Sequence, residues 1–221
     1  KRYNPRMDAL RALHELSQLT AVQWGLVTTA QAGRCGVSRL YLSRLAEAGH
    51  LERMGQGVYR AAAVPADRYE SLKAAWLSID PKLTAAERLR PAVPDAVVSG
   101  PASAFLHGVG DLVPEPYEFT VASRRQTQRK ELRFRVRQLP ADSVTLREGL
   151  PVTTVEQTIT DLIEAHTDLS LVAGVLADAP SADRARLAEL LQVSAPRDRL
   201  ASGRAFLDHL ESLARPVRQE A

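Results

Sequence analysis

The chain has 221 residues, of which 45 % are hydrophobic and 25 % are charged, and its formal net charge is +3. This composition is that of an ordinary soluble protein. The single cysteine, Cys35, excludes an internal disulfide and a cysteine-ligated metal cluster. No apolar run approaches membrane-spanning length and no signal-peptide pattern opens the sequence, so we expect a cytoplasmic protein without a membrane partner.

The first predicted element is a helix over residues 6–19. Its apolar residues recur at helical spacing, which predicts that one stripe of the helix packs under the elements that follow. The stripe consists of Met7, Leu10, Leu13 and Leu16 or Leu19.

Two short helices joined by a glycine turn are predicted next. Thr29 can cap a helix that ends near Cys35, because a threonine hydroxyl accepts hydrogen bonds from the free amides of a first helical turn. Gly36 supplies the turn, and Ser38 can cap the second helix. The predicted core face of that second helix consists of Leu42, Leu45, Ala46 and Gly49.

A basic hairpin is predicted after the second helix. Residues 51–54 and 58–60 have strand character, and the glycines at 55 and 57 favour a tight turn. This layout is that of a winged helix-turn-helix, whose second helix fits the major groove of DNA while the wing follows the flanking backbone. The expected DNA-contacting residues are Ser38, Arg39, Tyr41 and Arg44 on the helix and Arg53, Gln56 and Arg60 on the wing.

The distribution of charge favours nucleic acid as the partner of this region. Residues 1–68 contain ten Lys or Arg against five Asp or Glu, a net charge of +5 that leaves −2 for the rest of the chain. A helix-turn-helix can also serve protein contacts or simply build a small helical domain. We favour DNA binding because the turn, the caps, the wing and the excess basic charge agree.

A composition shift after Arg60 predicts a domain boundary between residues 64 and 65. The second domain, residues 65–221, is predicted to be α+β, with a small mixed or antiparallel sheet and a helical bundle. Thr153 and Glu156 form a capping box that is expected to start a helix. Predicted strands cover residues 96–99, 117–121, 132–139, 144–146 and 150–153. Predicted helices cover residues 69–79, 84–89, 102–107 and most of the chain from 168 onwards, with breaks near Pro180 and Pro196.

The densest basic segment covers residues 124–137. It contains Arg124, Arg125, Arg129, Lys130, Arg133, Arg135 and Arg137. On a strand, the last three would share one face at a spacing of roughly 7 Å, close to that of phosphates along a nucleic-acid strand. The segment indicates either a second contact surface, for DNA or an acidic protein, or a solvated sheet face whose charge discourages edge pairing.

The motifs that phosphate or nucleic-acid chemistry would require are missing from the sequence. No Asp-x-Asp or Asp-x-Glu pair can hold two metal ions, and neither a phosphate-binding glycine loop nor a kinase His-Arg-Asp triplet occurs. An acid followed two residues later by lysine, common in metal-dependent nucleases, occurs only at Asp80-Pro81-Lys82, where a helix is predicted to end. We therefore predict no catalytic residues, no metal and no cofactor.

Three segments in this order resemble a known family. Gly-Gln-Gly-Val-Tyr-Arg closes the winged region at residues 55–60. Ser-Gly-Pro-Ala-Ser-Ala-Phe-Leu-His-Gly-Val occupies residues 99–109, and Leu-Pro-Val-Thr-Thr-Val-Glu-Gln-Thr-Ile-Thr-Asp-Leu occupies residues 150–162. Together they are similar to the AbiEi family, the antitoxins that accompany nucleotidyltransferase-like toxins in bacterial abortive-infection systems for phage defence.

The resemblance implies a transcriptional autorepressor that binds inverted repeats in the promoter of its own toxin–antitoxin operon. It also implies that the second domain counteracts the cognate toxin, by a direct complex, by indirect antagonism or by modification of the toxin. Two other classes stay open at this point. One is a stand-alone winged-helix regulator whose second domain senses a ligand or a partner, and the other is an enzyme that the helix-turn-helix targets to DNA.

Overall fold

A computed structural model gives the fold of the chain and describes residues 9–195, 197–198 and 200–214. The chain divides into two compact units, Lys1–Pro91 and Ala92–Ala221. Met7, part of the predicted first helix, and Pro196, at a predicted helix break, lie outside the described residues. Among the helices within the described ranges, none combines the length and the apolar character that crossing a bilayer requires.

The first unit has the helix and strand order of a winged helix, as predicted. Its elements are α1 (Ala9–Thr20), β1 (Leu26–Thr28), α2 (Thr29–Arg34), α3 (Arg39–Glu47), β2 (Leu51–Gly55), β3 (Val58–Ala61), α4 (Glu70–Ile79) and α5 (Ala85–Arg88). The three strands form an antiparallel sheet in the order β1-β3-β2. Strands β2 and β3 are the wing hairpin, and α2 and α3 are the helix-turn-helix.

Side-chain caps explain where α2 and α3 begin. Thr28, and not Thr29 as predicted, caps α2: its hydroxyl accepts from the Gln31 backbone N–H at 3.1 Å, and its own N–H donates to the Gln31 side chain at 2.9 Å. Ser38 caps α3 as predicted, since its hydroxyl accepts from the backbone N–H three residues later at 3.3 Å. Between the helices, Gly36 has φ of 80°, a conformation that glycine adopts without steric cost.

The core of the winged unit lies where α1, α2, α3 and the sheet meet. Its buried residues are Ala12, Leu16, Val27, Ala32, Val37, Leu42, Leu45, Leu51 and Tyr59. The stripe predicted on α1 is wrong at Leu10, which is 81 % exposed. Ala12, Leu16 and Thr20 are buried at intervals of four residues, and this row turns Leu10 away from the core.

The first compact unit extends beyond the predicted boundary after residue 64. Helix α4 packs on the sheet and buries Leu72, Trp76 and Leu77. Buried hydrogen bonds also hold the segment around α5: the Gln23 side chain accepts from the Ala85 N–H at 2.8 Å. The loop after β3 is therefore a connection inside this unit, because the apolar face of α4 is covered by the winged-helix sheet.

The second unit combines a five-stranded mixed sheet with helices, as predicted. Its elements are β4 (Ala96–Ser99), α6 (Gly100–His107), β5 (Tyr117–Val121), β6 (Leu132–Val136), β7 (Val144–Arg147), β8 (Leu150–Thr153), α7 (Val155–Glu164), α8 (Leu169–Ala177), α9 (Arg184–Leu191) and α10 (Gly203–Ala214). The strand order is β6-β5-β4-β8-β7. Pairs β4–β5 and β7–β8 are antiparallel, whereas β4–β8 and β5–β6 are parallel. Strand β6 therefore lies at an edge of the sheet.

Buried hydroxyl groups join α6, β8 and α7. The Ser103 Oγ lies 2.6 Å from Thr158 Oγ1, and Thr153 Oγ1 lies 3.0 and 2.9 Å from these two atoms. Thr153 belongs to β8, so the capping box predicted at Thr153 and Glu156 is wrong. Thr154 caps α7 and accepts from the Gln157 N–H at 3.4 Å. The apolar core beside this network is formed by α7, α8, α9 and α10.

Candidate nucleic-acid interface

Helix α3 presents a polar outer face that contains one leucine. Leu42 and Leu45 are buried in the core of the winged unit. The residues turned away from that core are exposed, and we refer to them as the outer face of α3: Arg39, Leu40, Ser43, Arg44 and Glu47. The Ser43 hydroxyl donates to the Glu47 carboxylate at 3.3 Å. The helix-turn-helix thus offers two guanidinium groups, a hydroxyl, a carboxylate and an apolar side chain to a partner.

Tyr41 does not belong to this face, contrary to the sequence prediction. It is half-buried and packs against the core of the winged unit. At 100° per residue, Tyr41 lies beside Leu45 on the helix circumference, and this position explains its burial. The same geometry places Leu40 opposite the buried pair, where it is 61 % exposed. Leu40 was not among the residues predicted to contact DNA, although the spacing of the buried leucines is sufficient to locate it.

The wing exposes Arg53 and Gln56 but not Arg60. Arg53 lies on β2 and Gln56 in the turn between β2 and β3, and both are exposed as predicted. Arg60 lies on the central strand β3 and is only 7 % exposed. Its guanidinium forms an ion pair with Glu52 and a second one with Glu70 at 3.3 Å. Arg60 is therefore a structural residue within the first unit, because its charge is neutralised by two carboxylates of the same unit.

Three exposed cations on α3 and the wing form no ion pair with a described residue. Within the part of the chain that the structure describes, Arg39, Arg44 and Arg53 form no ion pair. Ser38 is also exposed, and although its oxygen accepts the capping hydrogen bond, its O–H group remains able to donate. These groups can donate to phosphate oxygens or base edges without first breaking a salt bridge.

The arginine row predicted on residues 133–137 is divided in the structure. Arg135 Nε lies 3.1 Å from Glu118 Oε1, and its Nη1 lies 3.2 Å from Glu164 Oε2. Arg137 Nη1 lies 2.7 Å from Asp161 Oδ1, and its Nη2 also pairs with Glu164. We call these five residues the β6–α7 ion cluster. Arg135 and Arg137 therefore bind α7 within their own unit and do not continue a row of free cations.

Asp161 is the most deeply buried member of the ion cluster. Its carboxylate is fully buried, and burial raises its pKa to about 6, against the opposing attraction of Arg137, the hydrogen bond from Gln157 and the attraction of Arg135. The Gln157 amide donates to the same oxygen, Oδ1, at 3.0 Å. The strand and the helix are thus joined by a charge contact that is fully buried at Asp161 and partly exposed at Arg135 and Arg137.

The remaining basic residues of segment 124–137 form a smaller surface than predicted. Arg125 pairs with Asp95 at 2.9 Å, and Arg129 pairs with Glu131 at 2.7 Å. Arg124, Lys130 and Arg133 are exposed and form no ion pair with any described residue, and we call these three the exposed basic surface. An open cavity of about 680 Å³ adjoins it. The cavity is lined by Arg124, Arg125, Gln126, Thr127, Gln128, Leu132, Arg133 and Phe134.

In the described part of the chain, acidic and histidine side chains do not converge into a metal site. Among residues 9–195, 197–198 and 200–214, no group of three or more His, Cys, Asp or Glu side chains could hold a metal ion. His107, which the fold places near the buried hydroxyl groups, has its ring Nε2 2.8 Å from the Thr153 carbonyl oxygen. Burial lowers the pKa of His107 and thus favours the neutral form of its ring. This histidine is explained by its packing position.

The fold defines the class of the protein, which is a winged-helix protein with an added α+β unit. Family models agree with this assignment and make it specific. Residues 14–62 match the model described as "Transcriptional regulator, AbiEi antitoxin", and residues 90–209 match the "AbiEi antitoxin C-terminal domain". The chain belongs to the AbiEi antitoxin family.

A solved structure shares the fold of the chain. It is the crystal structure of the RV2827C protein from Mycobacterium tuberculosis, with a TM-score of 0.54 and 17 % sequence identity. The likeness covers 98 % of this chain and 84 % of the other. At this level of identity it supports the fold alone. A search of curated protein sequences found no significant match.

Proposed function

We propose that the protein is an antitoxin that represses its own operon by binding inverted repeats in the promoter, and that it counteracts a cognate nucleotidyltransferase-like toxin. The observation that carries the DNA-binding part is the outer face of α3, where Arg39 and Arg44 are exposed and unpaired with any described residue. The family membership supports the toxin part. No step of this function requires catalysis, a metal or a cofactor.

The way α3 is held supports the proposal of DNA binding. The turn at Gly36 and the Ser38 cap fix where the helix begins, so its first residues project beyond the core of the unit. In helix-turn-helix proteins these first residues contact base edges in the major groove. Arg39 and Arg44 can each donate two hydrogen bonds to a guanine, or bind phosphate. Arg53 and Gln56 on the wing would contact the flanking backbone.

Arg60 has a different role in this proposal from the one that the sequence predicts. It joins β2 to α4 through Glu52 and Glu70, and so holds the wing against the rest of the first unit. A substitution of Arg60 would then weaken DNA binding by lowering the amount of folded protein, and not by removing a cation from a phosphate.

The exposed basic surface of the second unit is proposed as an additional contact to the DNA backbone. Arg124, Lys130 and Arg133 are exposed cations, which we assign to phosphates and not to base edges. A cation that binds a phosphate displaces counterions from the DNA, and the affinity gained in this way depends on the salt concentration. An acidic face of the toxin is the competing partner for the same three residues. The two assignments differ in whether DNA binding or toxin rescue depends on them.

The proposed function is tested with the natural operon. The promoter duplex upstream of the reading frame should bind the purified protein more tightly than a scrambled duplex at the same salt concentration, and expression of the protein should repress a reporter behind that promoter. Co-expression should restore growth of cells that produce the neighbouring nucleotidyltransferase-like toxin. Equal affinity for both duplexes, without repression, would overturn the repressor assignment, and unchanged toxicity would overturn the antitoxin assignment.

A further inference from the structure

The outer face of α3 contains an apolar side chain that the fold does not use. Leu40 is 61 % exposed, and no described core cluster includes it. Its neighbours one helical turn further on are Ser43 and Arg44, and Arg39 precedes it. All three are polar and exposed, so Leu40 has no apolar surface beside it on the helix. Its position within the first turn of α3 is the position that faces base edges in a docked helix-turn-helix.

Only one group in the major groove offers a leucine an apolar contact. Guanine, cytosine and adenine present hydrogen-bond donors and acceptors there, whereas thymine adds the C5-methyl group. A leucine cannot satisfy the donors and acceptors, and placing it against them would cost affinity because they would lose water without gaining a partner. Against a thymine methyl group, both apolar surfaces leave water together.

We propose that Leu40 determines specificity by contacting the methyl group of a thymine in the operator. This inference rests on the proposed DNA-binding function and deepens it. Leu40 and Arg44 are four residues apart, which is about 6 Å along the helix axis. Base pairs rise by about 3.4 Å. The thymine should therefore lie about two base pairs from the base or phosphate that Arg44 contacts.

The test removes the methyl group from the DNA and the leucine from the protein, separately and together. The probe is a short duplex that the wild-type protein selects from a random-sequence library, in which each thymine is replaced in turn by deoxyuridine. Deoxyuridine keeps every hydrogen-bonding group of thymine and lacks only the methyl. Fluorescence anisotropy at one salt concentration gives the affinity of wild-type protein and of Leu40→Ala for each duplex.

At one thymine in each half-site, deoxyuridine should weaken wild-type binding by about fourfold, the loss expected when one methyl-sized apolar group returns to water. Leu40→Ala should bind the thymine duplex at least this much more weakly, and should not distinguish thymine from deoxyuridine at that position. Because Leu40 is exposed, the variant should keep the wild-type melting temperature. Leu146→Ala is the matched control, since Leu146 is 59 % exposed on β7, and it should keep the full deoxyuridine effect.

The outcomes separate this inference from the function on which it rests. If the wild-type protein enriches no sequence, the DNA-binding function fails and the inference fails with it. If a sequence is enriched but Leu40→Ala retains the wild-type response to deoxyuridine at every position, the inference alone is overturned. The same conclusion holds if Leu146→Ala loses the response as strongly as Leu40→Ala does.

Discussion

Replacing Arg137 with glutamine removes the closest cation from the buried carboxylate of Asp161. The Arg137 guanidinium lies 2.7 Å from Asp161 Oδ1 in the folded protein. Without it, that oxygen keeps Arg135 at 3.7 Å and the Gln157 amide at 3.0 Å. A buried charge that loses its ionic partner costs about 3–5 kcal/mol, and the two remaining contacts place the expected loss at the lower end, about 3 kcal/mol.

Urea denaturation at pH 7 measures this loss as a lower free energy of unfolding and a lower midpoint. Arg133→Gln is the matched control on the same strand, because Arg133 is exposed and forms no ion pair with the described residues. Its effect should stay within about 0.5 kcal/mol. Equal midpoints for Arg137→Gln and Arg133→Gln would refute the reasoning, since they would show that the β6–α7 ion cluster does not hold the strand to the helix.

The Arg137 substitution also has a pH dependence of defined sign. Burial raises the pKa of Asp161 from its ordinary value of 3.8 to about 6, so between these values the folded state binds a proton that the unfolded state has released. The contribution of this carboxyl to stability is therefore greatest below pH 4 and falls as the pH rises towards 6. Loss of Arg137 raises the pKa of Asp161 further. The difference in unfolding free energy between wild type and Arg137→Gln should stay nearly constant between pH 4 and about pH 6, where Asp161 is protonated in both folded proteins, and should widen above pH 6.

Three further substitutions concern Arg60, the exposed basic surface and the buried hydroxyl groups. Arg60→Met should lower the free energy of unfolding by about 1–3 kcal/mol, because the buried Oε2 of Glu70 loses its partner, while the salt dependence of DNA binding keeps its wild-type slope. A shallower slope would show that Arg60 contacts phosphate. Simultaneous alanine substitution of Arg124, Lys130 and Arg133 should reduce the slope of log K against log salt by about 0.9 for each phosphate that is no longer neutralised. If the triple variant keeps the wild-type salt slope but no longer rescues cells from the toxin, the surface binds the toxin. If it keeps both the wild-type slope and the rescue, the surface binds neither partner. Thr158→Val should cost about 0.5–1.5 kcal/mol in thermal or urea unfolding, because Ser103 and Thr153 each lose one buried hydrogen-bond partner while they keep each other, and unchanged stability would contradict that role.

Features that depend on residues close in sequence were predicted well. The Ser38 cap, the turn at Gly36 and the wing turn at Gly57 each depend on the conformation of a few neighbouring residues. The cap of α2 is predicted at Thr29 and observed at Thr28. The error is one residue because adjacent threonines offer the same hydroxyl group as a cap. The same locality explains why most strands of the second unit were placed within a few residues.

Features that depend on distant partners were not predicted. From the sequence, Arg60 is predicted to be an exposed wing cation, but in the fold it pairs with Glu70. Arg137 is predicted to belong to a row of free cations, but in the fold it lies 2.7 Å from Asp161 on α7. Asp161 follows Arg137 by 24 residues, and no local pattern relates them. Counting charge along the segment therefore overstated its exposed basic surface. Leu40 is a different case, since helical spacing alone locates it opposite the buried Leu42.

The claim that the outer face of α3 binds the operator is tested by affinity measurements on the wild type, Arg39→Ala and Arg44→Ala. Each protein is measured on the duplex that the wild type selects and on a scrambled duplex, at the same salt concentration. We expect the wild type to prefer the selected duplex, and each substitution to cost about 1–3 kcal/mol on that duplex where it removes a base contact, with a smaller change on scrambled DNA. Wild-type affinity and wild-type preference in both variants, with their fold intact, would contradict the claim that this face of α3 binds the operator.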